Sequence, residues 1–132
     1  MKKQTGIWID GKEAIIVQLN KEPIVSVVES NIHHRKVGGG YGGANKSLPE
    51  DAHPDNRLLR RKKHQMARFF EELVDRVKQT DQLLILGPGE MKTALTTRFR
   101  QMKSPGFEIV AVLPTDRMTE GQLVAKVKEY FA

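Results

Sequence analysis

The sequence predicts an α/β fold: a mixed five-stranded sheet, three antiparallel strands followed by parallel β–α–β crossovers, with three helices over its faces. Three observations predict it. Near the start, three short runs rich in β-branched residues are separated by turns that only antiparallel neighbours can use. Two later runs, QLLIL at 82–86 and EIVAVL at 108–113, carry apolar residues on both faces, as buried parallel strands do. The segments around those runs repeat apolar residues at helical spacing.

The elements follow in order. Residues 5–9 (TGIWI) form a first strand, and Asp10-Gly11 is a hairpin dipeptide. Residues 13–19 (EAIIVQL) and 24–29 (IVSVVE) make the second and third strands, with Asn20-Lys21-Glu22-Pro23 as the turn between them. Residues 31–56 contain Gly38-Gly39-Gly40-Tyr41-Gly42-Gly43, two prolines and no apolar period, and read as a long loop. A helix over 57–79 follows, capped by Asp55 or Asn56, with Met66, Phe69, Phe70, Leu73, Val74 and Val77 as its buried stripe. The strand at 82–86 turns through Gly87-Pro88-Gly89 into a helix over 90–102, with Met91, Ala94, Leu95 and Met102 inward. After the strand at 108–113, Thr119 and Gln122 have capping-box spacing. The last helix, 120–131, is expected to bury Leu123, Val124, Val127, Tyr130 and Phe131. No repeat or linker divides residues 1–132, so one domain is expected. Ribonuclease-H-like and related translation-factor domains share this element order.

Composition narrows the chemistry. There are no cysteines among the 132 residues, which excludes disulfides, thiolate catalysis and cysteine-held metals. No apolar run approaches the roughly 20 residues of a membrane span, and no apolar stretch follows Met1-Lys2-Lys3-Gln4, so a cytoplasmic protein without a leader is expected. The net charge of +6 is local. Residues 33–68 hold nine Lys/Arg against three acids, and the rest of the chain is balanced. All four histidines share that window. Local positive charge of this kind is the footprint of a polyanion, and RNA is the partner it suggests. Arg35, Lys36, Lys46, Arg57, Arg60, Arg61, Lys62 and Lys63 would neutralise phosphates, and Tyr41 would stack on a base. Gly38, Gly39, Gly40, Gly42 and Gly43 would let the backbone approach closely. Cations in the first turns of a helix oppose its macrodipole, which a bound anion would offset.

Other chemistry is less well supported. Asp10 stands where a ribonuclease-H-like enzyme carries its first acid, but two-metal hydrolysis needs several converging carboxylates. Only Glu71 or Glu72 and Glu90 are available to join it, and position one of a hairpin turn explains Asp10 better. His33, His34, His53 and His64 lack metal-ligand spacing, so no metal and no cofactor is expected. Gly87-Pro88-Gly89 reads as a structural turn, since Glu90 beside it would repel a phosphate.

The pattern resembles the central domain of archaeo-eukaryotic class I peptide-chain release factors, the related ribosome-rescue protein Pelota, and small stand-alone bacterial relatives of that domain. The residues that carry the resemblance are Arg35-Lys36-Val37-Gly38-Gly39-Gly40-Tyr41-Gly42-Gly43 ahead of Arg57-Leu58-Leu59-Arg60-Arg61. Leu86-Gly87-Pro88-Gly89-Glu90-Met91-Lys92-Thr93-Ala94-Leu95 and Asp116-Arg117-Met118-Thr119 add to it. The resemblance implies a domain that faces RNA or the ribosome. It does not extend to peptide release, because the family's catalytic glutamine follows two glycines, whereas Tyr41 follows Gly39-Gly40 and Ala44 follows Gly42-Gly43. The expected function is therefore a non-catalytic RNA- or ribosome-binding module. The alternatives are a hydrolase (a degenerate peptidyl-tRNA hydrolase or a metal-dependent nuclease) and a protein-interaction module whose loop orders on an acidic partner.

Overall fold

A computed structural model of the chain describes residues 2–32, 54–103 and 105–132. Its elements are β1 (Gln4–Ile9), β2 (Glu13–Leu19), β3 (Ile24–Glu29), α1 (Pro54–Val77), β4 (Gln82–Gly87), α2 (Met91–Arg100), β5 (Glu108–Pro114) and α3 (Glu120–Phe131). The five strands form one sheet in the order β3-β2-β1-β4-β5. The β1–β2 and β2–β3 pairs are antiparallel, and β1–β4 and β4–β5 are parallel. This is the mixed sheet the sequence predicts.

Local chemistry closes the first hairpin. One carboxylate oxygen of Asp10 accepts from the amides of Lys12 at 2.8 Å and Glu13 at 2.9 Å, an Asx turn that brings Ile9 opposite Ala14. Strand alternation then sorts the core. Ile7, Ile9, Ala14, Ile16, Val28, Leu83 and Ile85 face one way, against Phe69, Phe70, Leu73, Val74 and Val77 of α1 and Leu95 and Phe99 of α2. Trp8, Ile15, Val17, Leu84 and Leu86 face the other way, against Leu123 and Val127 of α3. Two helices thus cover one face and one helix the other.

Glycine permits two close approaches. A Cβ on Gly6 would lie 2.5 Å from Cγ2 of Val127, so the bare backbone of β1 lets α3 settle on the sheet. A Cβ on Gly87 would lie 2.2 Å from the carbonyl oxygen of Ile9, and Gly87 has φ +150°. At the opposite end of the sheet the buried hydroxyls of Thr5 and Thr80 meet at 2.7 Å, and Thr80 donates onward to the carbonyl of Lys3 at 3.0 Å. That bond ties the exit of α1 to the start of β1.

Several details differ from the sequence expectation. The first helix begins at Pro54, so Asp55 and Asn56 lie in its first turn and do not cap it. Proline's fixed φ suits a first turn, and its missing amide costs nothing there. Residues 54–56, expected in the loop, are helical, and residues 33–53 of that expectation lie outside the described residues. The second helix is shorter than 90–102: Glu90 is its N-cap position and Met102 lies beyond its end. Phe99 is buried, one turn after Leu95, and makes an edge-on contact with Phe107 at 5.1 Å between ring centroids. Met91, Ala94 and Met102 are only half-buried. In α3 the capping box between Thr119 and Gln122 is present. Val124 and Phe131 are half-buried, but Tyr130 is 42% exposed. It sits in the last turn, where Phe131 takes the position over the sheet.

Candidate nucleic-acid interface

Topology brings the charged elements to one edge. Because β2 is antiparallel to both β1 and β3, the strands β1, β3, β4 and β5 all run in one direction. Each helix returns antiparallel to them, so the N-termini of α1, α2 and α3 share the edge formed by the carboxyl ends of those four strands. Open α/β sheets bind their ligands at this edge.

Helix α1 is longer than the sheet it covers. Its 24 residues span about 36 Å at about 1.5 Å each, whereas a six-residue strand spans about 20 Å. The surplus of about 16 Å is a solvent-exposed arm. No side chain from Arg57 to Arg68 is fully buried, though Leu58, Lys62, Gln65 and Met66 are half-buried and Met66 packs against the core, and Phe69 is the first that is buried. Even Leu59 is 57% exposed.

The arm carries the predicted cations. Arg57, Arg60, Arg61 and Lys63 are exposed and Lys62 is half-buried. Arg68 and His64 are exposed on the same stretch. Among the described residues none of these cations has a carboxylate partner. The ion pairs lie elsewhere, as Arg76–Glu72, Lys78–Asp75, Arg98–Glu71 and Arg117 with both Asp10 and Glu13. The structure therefore joins Arg57, Arg60, Arg61, Lys62 and Lys63 on one projecting element. Arg35, Lys36, Gly38, Gly39, Gly40, Tyr41, Gly42, Gly43 and Lys46 lie outside the described residues, as do His33, His34 and His53.

Three of the four acids considered for hydrolysis have other partners. Asp10 uses one oxygen in its turn and the other on Arg117, at 3.1 Å. Glu71 pairs with Arg98 and Glu72 with Arg76. Among the described residues no three His, Asp or Glu side chains are grouped to hold a metal ion. The Gly87-Pro88-Gly89 turn is internally bonded, with the Lys92 ammonium donating to the Gly89 carbonyl at 2.5 Å.

Sequence reasoning missed Arg117 as a centre of contacts. Its guanidinium reaches Asp10, meets Glu13 at 2.5 Å and lies 5.1 Å from the centre of the Trp8 ring. The Trp8 indole N–H donates to the Asp116 carbonyl at 3.2 Å. Together these contacts fasten the β5–α3 connection to the first hairpin. No local signal announces a contact between residues more than a hundred positions apart.

This architecture is a mixed-sheet α/β domain with a projecting basic helix. No family model matches the chain, and no curated protein does. Among solved structures it is similar to the Pelota protein of Thermoplasma acidophilum, with a TM-score of 0.52 and 17% identity. The match covers 97% of this chain and 32% of that one. The chain thus spans about a third of the length of that protein, and the likeness is one of fold.

Among the described residues no helix is long and apolar enough to cross a membrane.

Proposed function

We propose that this chain is a non-catalytic RNA- or ribosome-binding module that grips phosphates with the basic arm of α1. The observation that carries the reading is the arm itself: five cations within seven residues, none buried and none with a carboxylate partner among the described residues, on helix turns that bury no side chain fully. Cations at a helix N-terminus lower the stability of the isolated chain. A polyanion reverses that cost, because counterion release then favours the complex. The Pelota-like fold agrees with the release-factor resemblance of the sequence, which implies a ribosome-facing domain. In this reading Arg35, Lys36, Lys46 and Tyr41 add to the same surface, the glycines around Tyr41 allow close approach, and residues 1–132 act as one cytoplasmic domain.

Cosedimentation with ribosomes tests the proposal. Binding near about 50 mM salt that is lost toward about 300 mM supports phosphate neutralisation. Absence of binding to ribosomes and to structured RNA at low salt would refute it.

A further inference from the structure

The edge of the sheet formed by β3 is bare between Pro23, which precedes the strand, and Glu29, which ends it. Natural edges are blunted by charges, prolines or bulges inside the strand. The other edge has such devices: the β4–β5 ladder shifts register between Leu83 and Leu84, and β5 ends on Pro114. In β3 the stretch from Ile24 to Val28 has no charge and no proline. It exposes apolar side chains on both faces of the sheet, Ile24 at 50% on the α1 side and Val27 at 45% on the α3 side.

A second observation concerns charge. Glu29 lies directly opposite Glu13 across the β2–β3 ladder. Like charges so placed repel. Arg117 relieves Glu13, but Glu29 has no cation among the described residues. Lys21, exposed in the turn that precedes β3, has no carboxylate among them either.

We propose that β3 pairs antiparallel with β3 of a second copy of this chain, making a two-fold dimer with one continuous sheet. Pairing centred on Val25 brings the turn before β3 of each copy, which carries Lys21 next to Glu22, toward Glu29 of the other, twice by symmetry, with the uncharged residues Ile24 to Val28 between Pro23 and Glu29. Odd-numbered residues keep to the α3 side, so Pro23 of one copy covers Val27 of the other. Ile24 is covered by Ser26 on the opposite face. Antiparallel pairing also directs the two basic arms to opposite ends of the dimer, so the positive charge of one copy does not meet that of the other. The dimer rests on the sheet edge and is independent of the RNA-binding reading.

Sedimentation velocity of the full chain tests it, run from about 5 µM to about 300 µM beside a charge-swap series. The wild type is expected to shift from monomer toward twice its 15.0 kDa mass. Lys21→Glu and Glu29→Lys should each weaken association about tenfold or more, and the double variant Lys21→Glu/Glu29→Lys should restore it. Glu29→Lys removes the repulsion with Glu13, so its monomeric behaviour cannot be ascribed to a failed fold; circular dichroism checks the others. A wild type that stays monomeric throughout would overturn the proposal, as would single variants that associate like the wild type or a double variant that does not recover.

Discussion

Replacing Gly87 by alanine tests how β4 is held to the first hairpin at the carboxyl edge. Two costs can be read from the structure. The added Cβ would fall 2.2 Å from the carbonyl oxygen of Ile9, and the obstacle is backbone that cannot swing aside as a side chain would. A backbone shift of that kind costs about 1–3 kcal/mol. The residue would also have to hold φ +150°, a region L side chains rarely adopt, for about another 1–3 kcal/mol. The sum, about 2–6 kcal/mol, is a large share of the roughly 5–15 kcal/mol that stabilises a typical domain. With a urea m-value of about 1–3 kcal/mol/M, the unfolding midpoint should fall by about 1–3 M. Gly89→Ala is the control: φ is +63°, but no atom lies within 4 Å of the added Cβ, so only the conformational cost of about 1–2 kcal/mol applies. Equilibrium urea unfolding followed by the fluorescence of the single tryptophan, Trp8, measures both. If Gly87→Ala costs no more than Gly89→Ala, the clash with Ile9 is not real and the reasoning fails.

Other predictions concern the α3 face. Gly6→Ala should cost about 1–3 kcal/mol, because its Cβ would meet the Val127 side chain at 2.5 Å. The addition of Val127→Ala should recover about 1 kcal/mol or more of that loss in a double-mutant cycle, and purely additive costs would show that the two do not touch. Arg117→Ala should lower stability by only about 0.5–1 kcal/mol, since its ion pairs are partly solvated, with the guanidinium side chain 60% exposed. The same change uncovers the Trp8 ring, so the emission of the folded protein should shift to the red. An unchanged spectrum would contradict the stacked geometry.

The strands were legible because their signals are local. Alternating β-branched residues, Asp10-Gly11 and the Asn20 to Pro23 turn specify an antiparallel meander without reference to distant contacts. The Thr119–Gln122 capping box is equally local, and it stands where its spacing predicts. Helix margins were less legible. Asp55 and Asn56 are good caps by residue type, but Pro54 is a better first-turn residue, and the helix starts there. Phe99 escaped notice because a 13-residue reading of α2 set its apolar phase on Met102, whereas the helix stops at Arg100 and the stripe runs through Leu95 and Phe99. Tyr130 shows the opposite error, an apolar-faced residue at a helix end with nothing left to cover it. The basic arm was visible as charge, but its projection was not, since that comes from comparing helix length with strand length. Arg117 was invisible as a partner of Asp10, because contact across 107 positions depends on the completed sheet.

The central claim is that the arm of α1 holds RNA by phosphate contacts, and the salt dependence of binding tests it most directly. Affinity for ribosomes is to be measured across a salt series for the wild type and for Arg60→Ala/Arg61→Ala/Lys62→Ala/Lys63→Ala. None of the four side chains is buried, so the fold should be retained. If all four cations neutralise phosphates, the slope of log K against log salt should flatten by about 3 in the variant, at about 0.7–0.9 per contact, and affinity at low salt should fall steeply. Equal slopes for the two proteins would mean that the arm does not touch the nucleic acid.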